Sequence, residues 1–316
     1  MSKGKATAVA NPNIAFIKYW GKADNALNLP ANPSLSMNLA ALTTVTTVEF
    51  RPGFAGDMVT IDGQPASGQA LERVVHHLDR VRVLAEIDEK ARVVSQSDFP
   101  AGTGLASSAS AFAALSLAAT RAAGLTMQEA ALSRLARLGS GSACRSVPAG
   151  FVLWDGDQDA TSLGRQVAPP VHWDLRDLVA IVSHQHKRVG SHQGHEFAST
   201  SPLYSARLAA VPELLATATT SLQGRDLAAM GPAVEADALT MHGVMMTSDP
   251  SLLYWEEGTI SVLRAVRAWR HSGLGVFFTM DAGPKVPCFC EGSDAAEVEE
   301  RLRALPGVQD VLVSGP

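Results

Sequence analysis

The stretch Phe99-Pro-Ala-Gly-Thr-Gly-Leu-Ala-Ser-Ser-Ala-Ser110 is the most informative part of this 316-residue sequence. It follows Lys90 to Ser97, which predicts a strand, and leads into an Ala- and Ser-rich segment that predicts a helix over Leu105 to Ala123. Glycines let a backbone approach a polyphosphate, and the first turn of a helix offers unpaired N–H groups and a partial positive charge. The stretch therefore predicts a phosphate-binding loop that opens a tightly packed helix.

Other interpretations of this loop stay open on its residues alone. Gly102 to Ser107 nearly matches the GxGxxG dinucleotide fingerprint, but Ser stands in third place and no acidic residue closes a clean strand about 20 residues later. The GK[ST] ending of a Walker loop is absent. A Gly/Ser-rich turn with no ligand explains a six-residue match equally well.

Composition restricts the class of protein. Hydrophobic residues make up 46% and charged residues 18%, which is enough for a substantial core in two domains or one large one. The net charge of −5 comes from 26 basic and 31 acidic residues without a run of like charges. This pattern argues against a nucleic-acid or membrane-surface partner, so an anionic ligand would need local basic groups.

Cysteines and the N-terminus point to a reducing compartment. Cys144, Cys288 and Cys290 are too few for a disulfide framework or a four-cysteine zinc site, and the last two alternate with Phe289 in a predicted strand. Residues 1–13 lack the apolar core of a signal peptide, and no apolar run reaches the length of a membrane span. We therefore expect a cytoplasmic protein.

Strand and helix patterns alternate in both halves of the chain. In the first half, Thr43 to Arg51 and Met58 to Ile61 predict strands, Asp62-Gly63 a hairpin turn, and Ala70 to Ile87 a helix. Thr126-Met-Gln-Glu129 predicts a capping box for the next helix. In the second half, the pattern predicts a buried strand over 178–183, helices over 204–217, 225–246, 259–271 and 295–304, and strands over 276–280 and 308–314.

The polar segment 155–176, which contains Pro169-Pro170, is the best candidate for a domain junction. We therefore expect an N-terminal ATP-binding domain over 1–175 and a C-terminal domain over 176–316. The pattern as a whole predicts an α+β protein with two lobes.

Four segments, in order along the chain, carry a shared resemblance. They are Asn11-Pro-Asn-Ile-Ala-Phe-Ile-Lys-Tyr-Trp-Gly-Lys22, Gly104-Leu-Ala-Ser-Ser-Ala-Ser110, Gly139-Ser-Gly-Ser-Ala-Cys-Arg-Ser146 and Thr279-Met-Asp-Ala-Gly-Pro284. The second resembles the phosphate loop of the GHMP kinase superfamily, and all four resemble its mevalonate diphosphate decarboxylase family. The resemblance implies a GHMP kinase-like fold with a ribosomal protein S5 domain 2-like N-terminal lobe, a ferredoxin-like C-terminal lobe and an active site in the cleft between them.

The same segments have chemical meaning by themselves. Lys18 and Lys22 place two cations around a phenol and a glycine, although isolated lysines of this spacing are usually solvated. Arg145 after a Ser/Gly turn suits a carboxylate clamp, or is a surface residue at a helix end. Asp281 ends an apolar strand, where an aspartate is either a turn residue or a carboxylate held beside a ligand.

The resemblance assigns these residues to an ATP-dependent decarboxylation of a phosphorylated mevalonate, a step of isoprenoid biosynthesis, with ATP and Mg²⁺. It implies Asp281, Lys18 and Arg145 as catalytic residues, and a homodimer. The ATP-binding residues it implies are Pro100, Gly102, Gly104, Leu105, Ala106, Ser107, Ser108 and Ser110, with Ser107 on the magnesium ion. The substrate-binding residues are Tyr19, Lys22, Ser140, Gly141, Ser142, Arg145, Ser191, His192 and His195.

Three positions depart from the family pattern. His192 stands where some bacterial members have Arg, His195 where the family has Met, and Lys285 where it usually has Asn. Imidazoles carry less fixed charge than Arg at pH 7, so we expect mevalonate 5-phosphate to be preferred over the 5-diphosphate. Neutral drift at the rim of the site is the alternative.

Three other functions are compatible with parts of the sequence. A mevalonate 3-kinase would phosphorylate without releasing CO₂, and an inactive family member would serve as a binding module. A zinc site among His184, His186, His192 and His195 is disfavoured, because Cys is absent and Glu196 is nearly the only nearby acid.

Overall fold

The computed structural model describes residues 4–99, 107–184 and 189–316. The first lobe contains strands β1 (Lys5–Ala10), β2 (Asn13–Ile17), β3 (Lys22–Asp24), β4 (Leu29–Pro30), β5 (Ser34–Asn38), β6 (Thr44–Phe50), β7 (Met58–Ile61), β8 (Gln64–Pro65), β9 (Ala91–Ser97), β10 (Phe151–Asp155) and β11 (Leu163–Ala168). Its helices are α1 (Gly68–Ala85), α2 (Ser107–Ala122) and α3 (Glu129–Gly139).

Two large sheets organise the first lobe, beside the two-stranded sheet β3-β4. The first has the order β1-β6-β9-β7-β8, and its buried face packs on α1 and α2 through side chains such as Val48, Val93 and Leu78. The second, antiparallel sheet has the order β11-β10-β5-β2. Asp62 and Gly63 both have positive φ between β7 and β8, which confirms the predicted hairpin turn.

The second lobe is built on a four-stranded antiparallel sheet. Its elements are β12 (Leu175–Ile181), α4 (Ser191–Phe197), α5 (Tyr204–Gly224), α6 (Leu227–Thr247), α7 (Glu257–His271), β13 (Val276–Phe278), β14 (Val286–Glu291), α8 (Ala295–Arg303) and β15 (Asp310–Ser314). The strand order β13-β14-β12-β15 puts the last strand beside the first, as in the ferredoxin-like arrangement. The α+β, two-lobed fold class is confirmed.

One apolar core joins the lobes. Phe16 of β2 is fully buried and makes an edge contact with Phe289 of β14, with ring centroids 5.4 Å apart. Val211 of α5 and Val234 of α6 belong to the same buried cluster. The ends of β2 and β13 are therefore held next to each other, and the loops that follow them meet at the lobe boundary.

One local expectation is wrong, and others can be located in the structure. α3 begins at Glu129 after Gln128, and the Thr126 hydroxyl accepts a hydrogen bond from Arg121 Nη1 at 2.9 Å, so the predicted capping box is wrong. The polar segment 155–176 contains β11, which pairs with β10, and the domain junction expected in this segment stays a prediction. The cysteines Cys288 and Cys290 are buried in the second lobe. No helix in the described ranges is both long and apolar enough to cross a bilayer.

Candidate active site

A cavity of about 310 Å³ opens between the lobes. From the first lobe it is lined by Asn13, Lys18, Tyr19, Lys22, Arg73, Ser107, Ser108, Ser140, Gly141, Ser142 and Arg145, among others. From the second lobe it is lined by Ser191, His192, His195, Met241 and Asp281, among others. The structure thus brings most of the sequence-predicted site residues to one cleft.

An ion pair between the lobes lies in the cavity wall. Lys18 follows β2 and Asp281 follows β13, and Lys18 Nζ lies 2.7 Å from Asp281 Oδ1. The Lys18 side chain is only 2% exposed, whereas that of Asp281 is 26% exposed. The carboxylate therefore stays accessible to a ligand while a buried ammonium holds it.

His242 of α6 supports the Asp281 main chain from behind. Its Nε2–H donates to the Asp281 carbonyl at 3.1 Å. Burial, and then the nearby charge of Lys18, lowers the pKa of His242 to about 4. The imidazole is therefore neutral at pH 7 and acts here as a fixed hydrogen-bond donor.

Arg145 presents a buried guanidinium with uncharged partners. It is 3% exposed, and its Nη1 donates to Ser34 Oγ at 2.5 Å and its Nη2 to Asn13 Oδ1 at 3.1 Å. The Trp154 ring lies 5.7 Å from its Cζ. Because these partners are neutral, the positive charge of Arg145 stays available for an anionic ligand.

Close packing shapes the wall formed by Tyr19. A Cβ at Gly141 would lie 2.8 Å from Tyr19 Oη, so only glycine lets the 3₁₀ turn Gly141–Ser146 approach the phenol. The Tyr19 hydroxyl is buried and has no hydrogen-bond partner among the described residues. The His195 ring packs at a tilt against Tyr19, with ring centroids 4.2 Å apart, and against Trp20 at 4.6 Å.

The His195 ring also fixes the next turn. Its Nδ1 accepts the Gly21 N–H at 3.0 Å. Gly21 has φ of +90°, and a Cβ there would lie 2.0 Å from Tyr204 Oη, so the turn requires glycine. His195 is therefore part of the packing that holds the segment from Lys18 to Lys22.

Basic groups collect around Lys22 in the cavity wall. Lys22 Nζ lies 3.5 Å from His192 Nδ1, and burial together with the charges of Lys22 and Arg73 lowers the pKa of His192. Arg73 of α1 donates to the Gly139 carbonyl at 3.0 Å and lies over the Phe112 ring at 4.8 Å. Lys22 and Arg73 therefore supply fixed charge here, while His192 is biased toward its neutral form.

The serines after the phosphate loop divide into two groups. Ser107 and Ser108 line the cavity, and Ser108 Oγ lies 3.2 Å from Ser140 Oγ. Ser110 does not line it, because its hydroxyl is buried and bonded to Thr44 Oγ1 at 2.7 Å. The expected contact of Ser110 with ATP therefore gains no support from the position of this hydroxyl and stays a prediction. Pro100, Gly102, Gly104, Leu105 and Ala106 lie outside the described residues.

Two other sequence-based expectations concern Lys285 and a metal. Lys285 is 3% exposed, does not line the cavity, and its Nζ has no hydrogen-bond partner among the described residues. Burial lowers the pKa of Lys285 to about 8. Within the described ranges, His, Cys, Asp and Glu side chains form no group of three or more that would hold a metal ion.

Sequence reasoning missed several residues of the site. Asn13 contacts Arg145 twice, and its Nδ2 donates to Ser146 Oγ at 2.8 Å. Because Asn13 lies within the first family-like segment, the sequence motif could have indicated it as a site residue. Arg73 and His242 lie on helices without any motif, so only the folded chain shows their position.

Comparison with known proteins agrees with this geometry. Residues 10–164 match the diphosphomevalonate decarboxylase-like N-terminal domain, and residues 177–312 match the mevalonate 5-diphosphate decarboxylase C-terminal domain. A diphosphomevalonate decarboxylase of Aspergillus fumigatus is 35% identical, covering 99% of this chain and 83% of its own length. A phosphomevalonate decarboxylase of Haloferax volcanii is 34% identical, covering 99% and 96%.

A solved structure of MDDEF in complex with MVAPP, AMPPCP and magnesium superposes with a TM-score of 0.93 at 35% identity, covering 99% of this chain and 97% of the other. The fold and the cleft thus define an ATP-dependent carboxy-lyase of the GHMP kinase superfamily. Within it, the chain belongs to the diphosphomevalonate decarboxylase family, as its sequence motifs predicted.

Proposed function

We propose that this chain converts mevalonate 5-phosphate, ATP-dependently, into isopentenyl phosphate, CO₂, ADP and phosphate. The observation that carries the proposal is the accessible Asp281 carboxylate paired with Lys18 in the same cavity as the Arg145 guanidinium. A base and a carboxylate-binding cation are the two groups that phosphorylation followed by decarboxylation requires.

Phosphoryl transfer is the first step. Asp281 accepts the proton of the C3 hydroxyl, the hydroxyl oxygen forms a bond to the γ-phosphorus of ATP, and the bond to ADP breaks. Lys18 stabilises the charge that develops around the transferred group, because its ammonium lies 2.7 Å from the same carboxylate. The product is a tertiary phosphate, which is a good leaving group.

Decarboxylation is the second step. The C3–O bond breaks with loss of phosphate, and the electron pair of the C1–C2 bond forms the C2–C3 double bond as CO₂ departs. Arg145 would hold the carboxylate before it leaves, since its present partners Asn13 and Ser34 are uncharged. A site enclosed between lobes also keeps water away from a carbocation-like centre and a phosphoryl donor.

ATP is a substrate, and its triphosphate would lie where α2 begins. Ser107 and Ser108 bring hydroxyl groups to the cavity there, and Arg73 faces the same space from α1. Mg²⁺ prefers phosphate, water and hydroxyl oxygens, so Ser107 is a suitable ligand beside the phosphates. The similar MDDEF structure is a complex with AMPPCP and magnesium, which supports ATP and Mg²⁺ as the pair that binds here.

The preference for the monophosphate depends on His192 and His195. His192 is biased toward its neutral form, so it offers less attraction to a second phosphate than an arginine would. His195 fills space between Tyr19 and Trp20. The Haloferax volcanii relative carries the name phosphomevalonate decarboxylase, whereas the Aspergillus fumigatus relative is a diphosphomevalonate decarboxylase, so the diphosphate is the alternative substrate.

The test compares kcat/KM for mevalonate 5-phosphate and its 5-diphosphate in the wild-type chain, His192→Arg and the control His271→Arg, which lies exposed on α7. We expect the wild type and the control to prefer the monophosphate, and His192→Arg to shift the ratio toward the diphosphate by restoring fixed charge. A wild-type preference for the diphosphate would refute the assignment.

A further inference from the structure

The main chain of Lys18 is held by a buried ion pair of the second lobe. Asp237 of α6 accepts the Lys18 N–H on Oδ2 at 2.7 Å, and its Oδ1 lies 3.0 Å from Nη2 of Arg207 on α5. The side chains of Arg207 and Asp237 are 1% and 0% exposed. The carboxylate thus links a first-lobe peptide group to a second-lobe cation.

The carbonyl of Lys18 is held by the same cluster. Arg207 Nη2 donates to it at 3.1 Å, and Asn32 Nδ2 donates to it at 2.8 Å. Arg207 Nη1 in turn donates to Asn32 Oδ1 at 3.0 Å. The backbone N–H and C=O of Lys18 are therefore both fixed by side chains from outside β2.

This arrangement is expensive if its only purpose is stability. Desolvation of two charges can exceed their mutual attraction, and apolar replacements of similar volume are often as stable. Lys18 lies just after β2, where ladder hydrogen bonds have ended, yet its ammonium must meet Asp281 from the other lobe within 2.7 Å. A rigid anchor on the peptide groups meets that geometric need.

We propose that Asp237 and Arg207 are positioning residues, which fix the backbone of Lys18 so that its ammonium reaches Asp281 and the reacting hydroxyl. The inference rests on the proposed function, since it assigns to the pair the placement of a group used in phosphoryl transfer. It predicts that damage to the pair slows turnover more than it weakens binding of the phosphate ester.

The first test measures kcat, KM and thermal stability of Asp237→Asn. We expect kcat to fall about 100-fold, the scale of a misplacement of roughly 1 Å, with little change in KM. The matched control is Asp57→Asn, because Asp57 also belongs to a buried ion pair, with Arg82, whose side chains are 5% and 7% exposed, and neither residue lines the cavity. It should lose stability but keep its kcat when assayed below its melting temperature.

The second test combines Asp237→Asn with Lys18→Met. A positioning residue acts through Lys18, so the double variant should be no slower than Lys18→Met alone, whereas a general structural defect would add its own loss. If Asp237→Asn does not fold, Arg207→Lys replaces it in the same double-variant comparison. This substitution keeps the positive charge but loses the planar guanidinium that donates from two nitrogens.

The outcomes separate the two proposals. Normal turnover of Lys18→Met would remove Lys18 from the proposed chemistry. If Lys18→Met lowers kcat but the folded Asp237→Asn or Arg207→Lys variant keeps a normal kcat, the positioning role is overturned while the proposed function stands. Equal losses of kcat in Asp237→Asn and Asp57→Asn, or additive losses in the double variant, would overturn it as well.

Discussion

Asp281 is the residue on which the chemistry depends, because it is both paired and accessible. Its carboxylate lies 2.7 Å from Lys18 Nζ while 26% of the side chain is exposed at the cavity. We expect Asp281→Ala to lower kcat by about 10²- to 10⁴-fold, the usual contribution of a general base, with the phosphate ester still bound. Steady-state kinetics and calorimetric titration with mevalonate 5-phosphate measure the two quantities separately.

A surface aspartate provides the control for this prediction. Asp310 does not line the cavity; it pairs with Arg303 at 2.9 Å, and half of its side chain is exposed. Asp310→Ala should therefore keep near-normal kcat, because exposed ion pairs contribute little. Near-normal turnover of Asp281→Ala instead would exclude Asp281 as the base.

Asp177 makes stability depend on pH. It is fully buried on β12, neither carboxylate oxygen has a hydrogen-bond partner among the described residues, and burial raises its pKa from 3.8 to about 8. Between these pH values the folded chain keeps a proton that the unfolded chain has released. Each pH unit in this window therefore removes up to about 1.4 kcal/mol of folding free energy.

Asp177→Asn removes this proton uptake. The free energy of unfolding of the variant, relative to wild type, should rise from about pH 5 to about pH 8 and level off above that range. Urea unfolding at a series of pH values measures the difference. A difference that does not change with pH would show that Asp177 is ionised in the folded chain.

At the level of elements, the site depends on the close approach of the 3₁₀ turn Gly141–Ser146 to Tyr19. A Cβ at Gly141 would lie 2.7 Å from Tyr19 Cε1. We expect Gly141→Ala to cost about 1–3 kcal/mol of stability and to raise KM for the phosphate ester, because Tyr19 must move into the cavity. Denaturant unfolding and steady-state kinetics report the two effects.

Gly224→Ala is the control for this substitution. Gly224 ends α5, and an added Cβ there meets nothing within 4 Å. The control should keep the wild-type KM and lose no stability. If Gly141→Ala behaved in the same way, the contact between the turn and Tyr19 would not shape the site.

Sequence patterns predicted elements well where the signal was local. Thr43 to Arg51 is rich in β-branched residues and contains β6 (Thr44–Phe50), and Asp62-Gly63 forms a turn that needs positive φ. The helix predicted over 204–217 extends to Gly224, because no strong breaker follows residue 217. The predicted capping box did not form, because the helix begins after Gln128 and the Thr126 hydroxyl is bonded to Arg121, five residues before it.

The candidate site was predictable only where a family-like motif held its residues. Lys18, Arg145 and Asp281 belong to such motifs and meet in one cavity. Arg207 and Asp237 lie 189 and 219 positions from Lys18 and contact it only after the lobes associate. Pairings over such distances leave no pattern in a single sequence.

At the scale of the whole molecule, the site exists only because the lobes share one core. Phe16 and Phe289 join the two lobes within one buried core. The cavity takes Lys18 and Arg145 from the first lobe and Asp281 from the second. Separation of the lobes would break the ion pair and open the reaction to water, so both lobes are expected to be necessary for turnover.

The most direct test of this account incubates the chain with ATP, Mg²⁺ and carboxyl-labelled mevalonate 5-phosphate or its 5-diphosphate, and measures ADP and CO₂ together. The account predicts equimolar ADP and CO₂, with the monophosphate turned over more efficiently. ADP formation without CO₂ would indicate a 3-kinase, and the absence of both products with both esters would indicate a binding module. Either result would contradict the proposed decarboxylation.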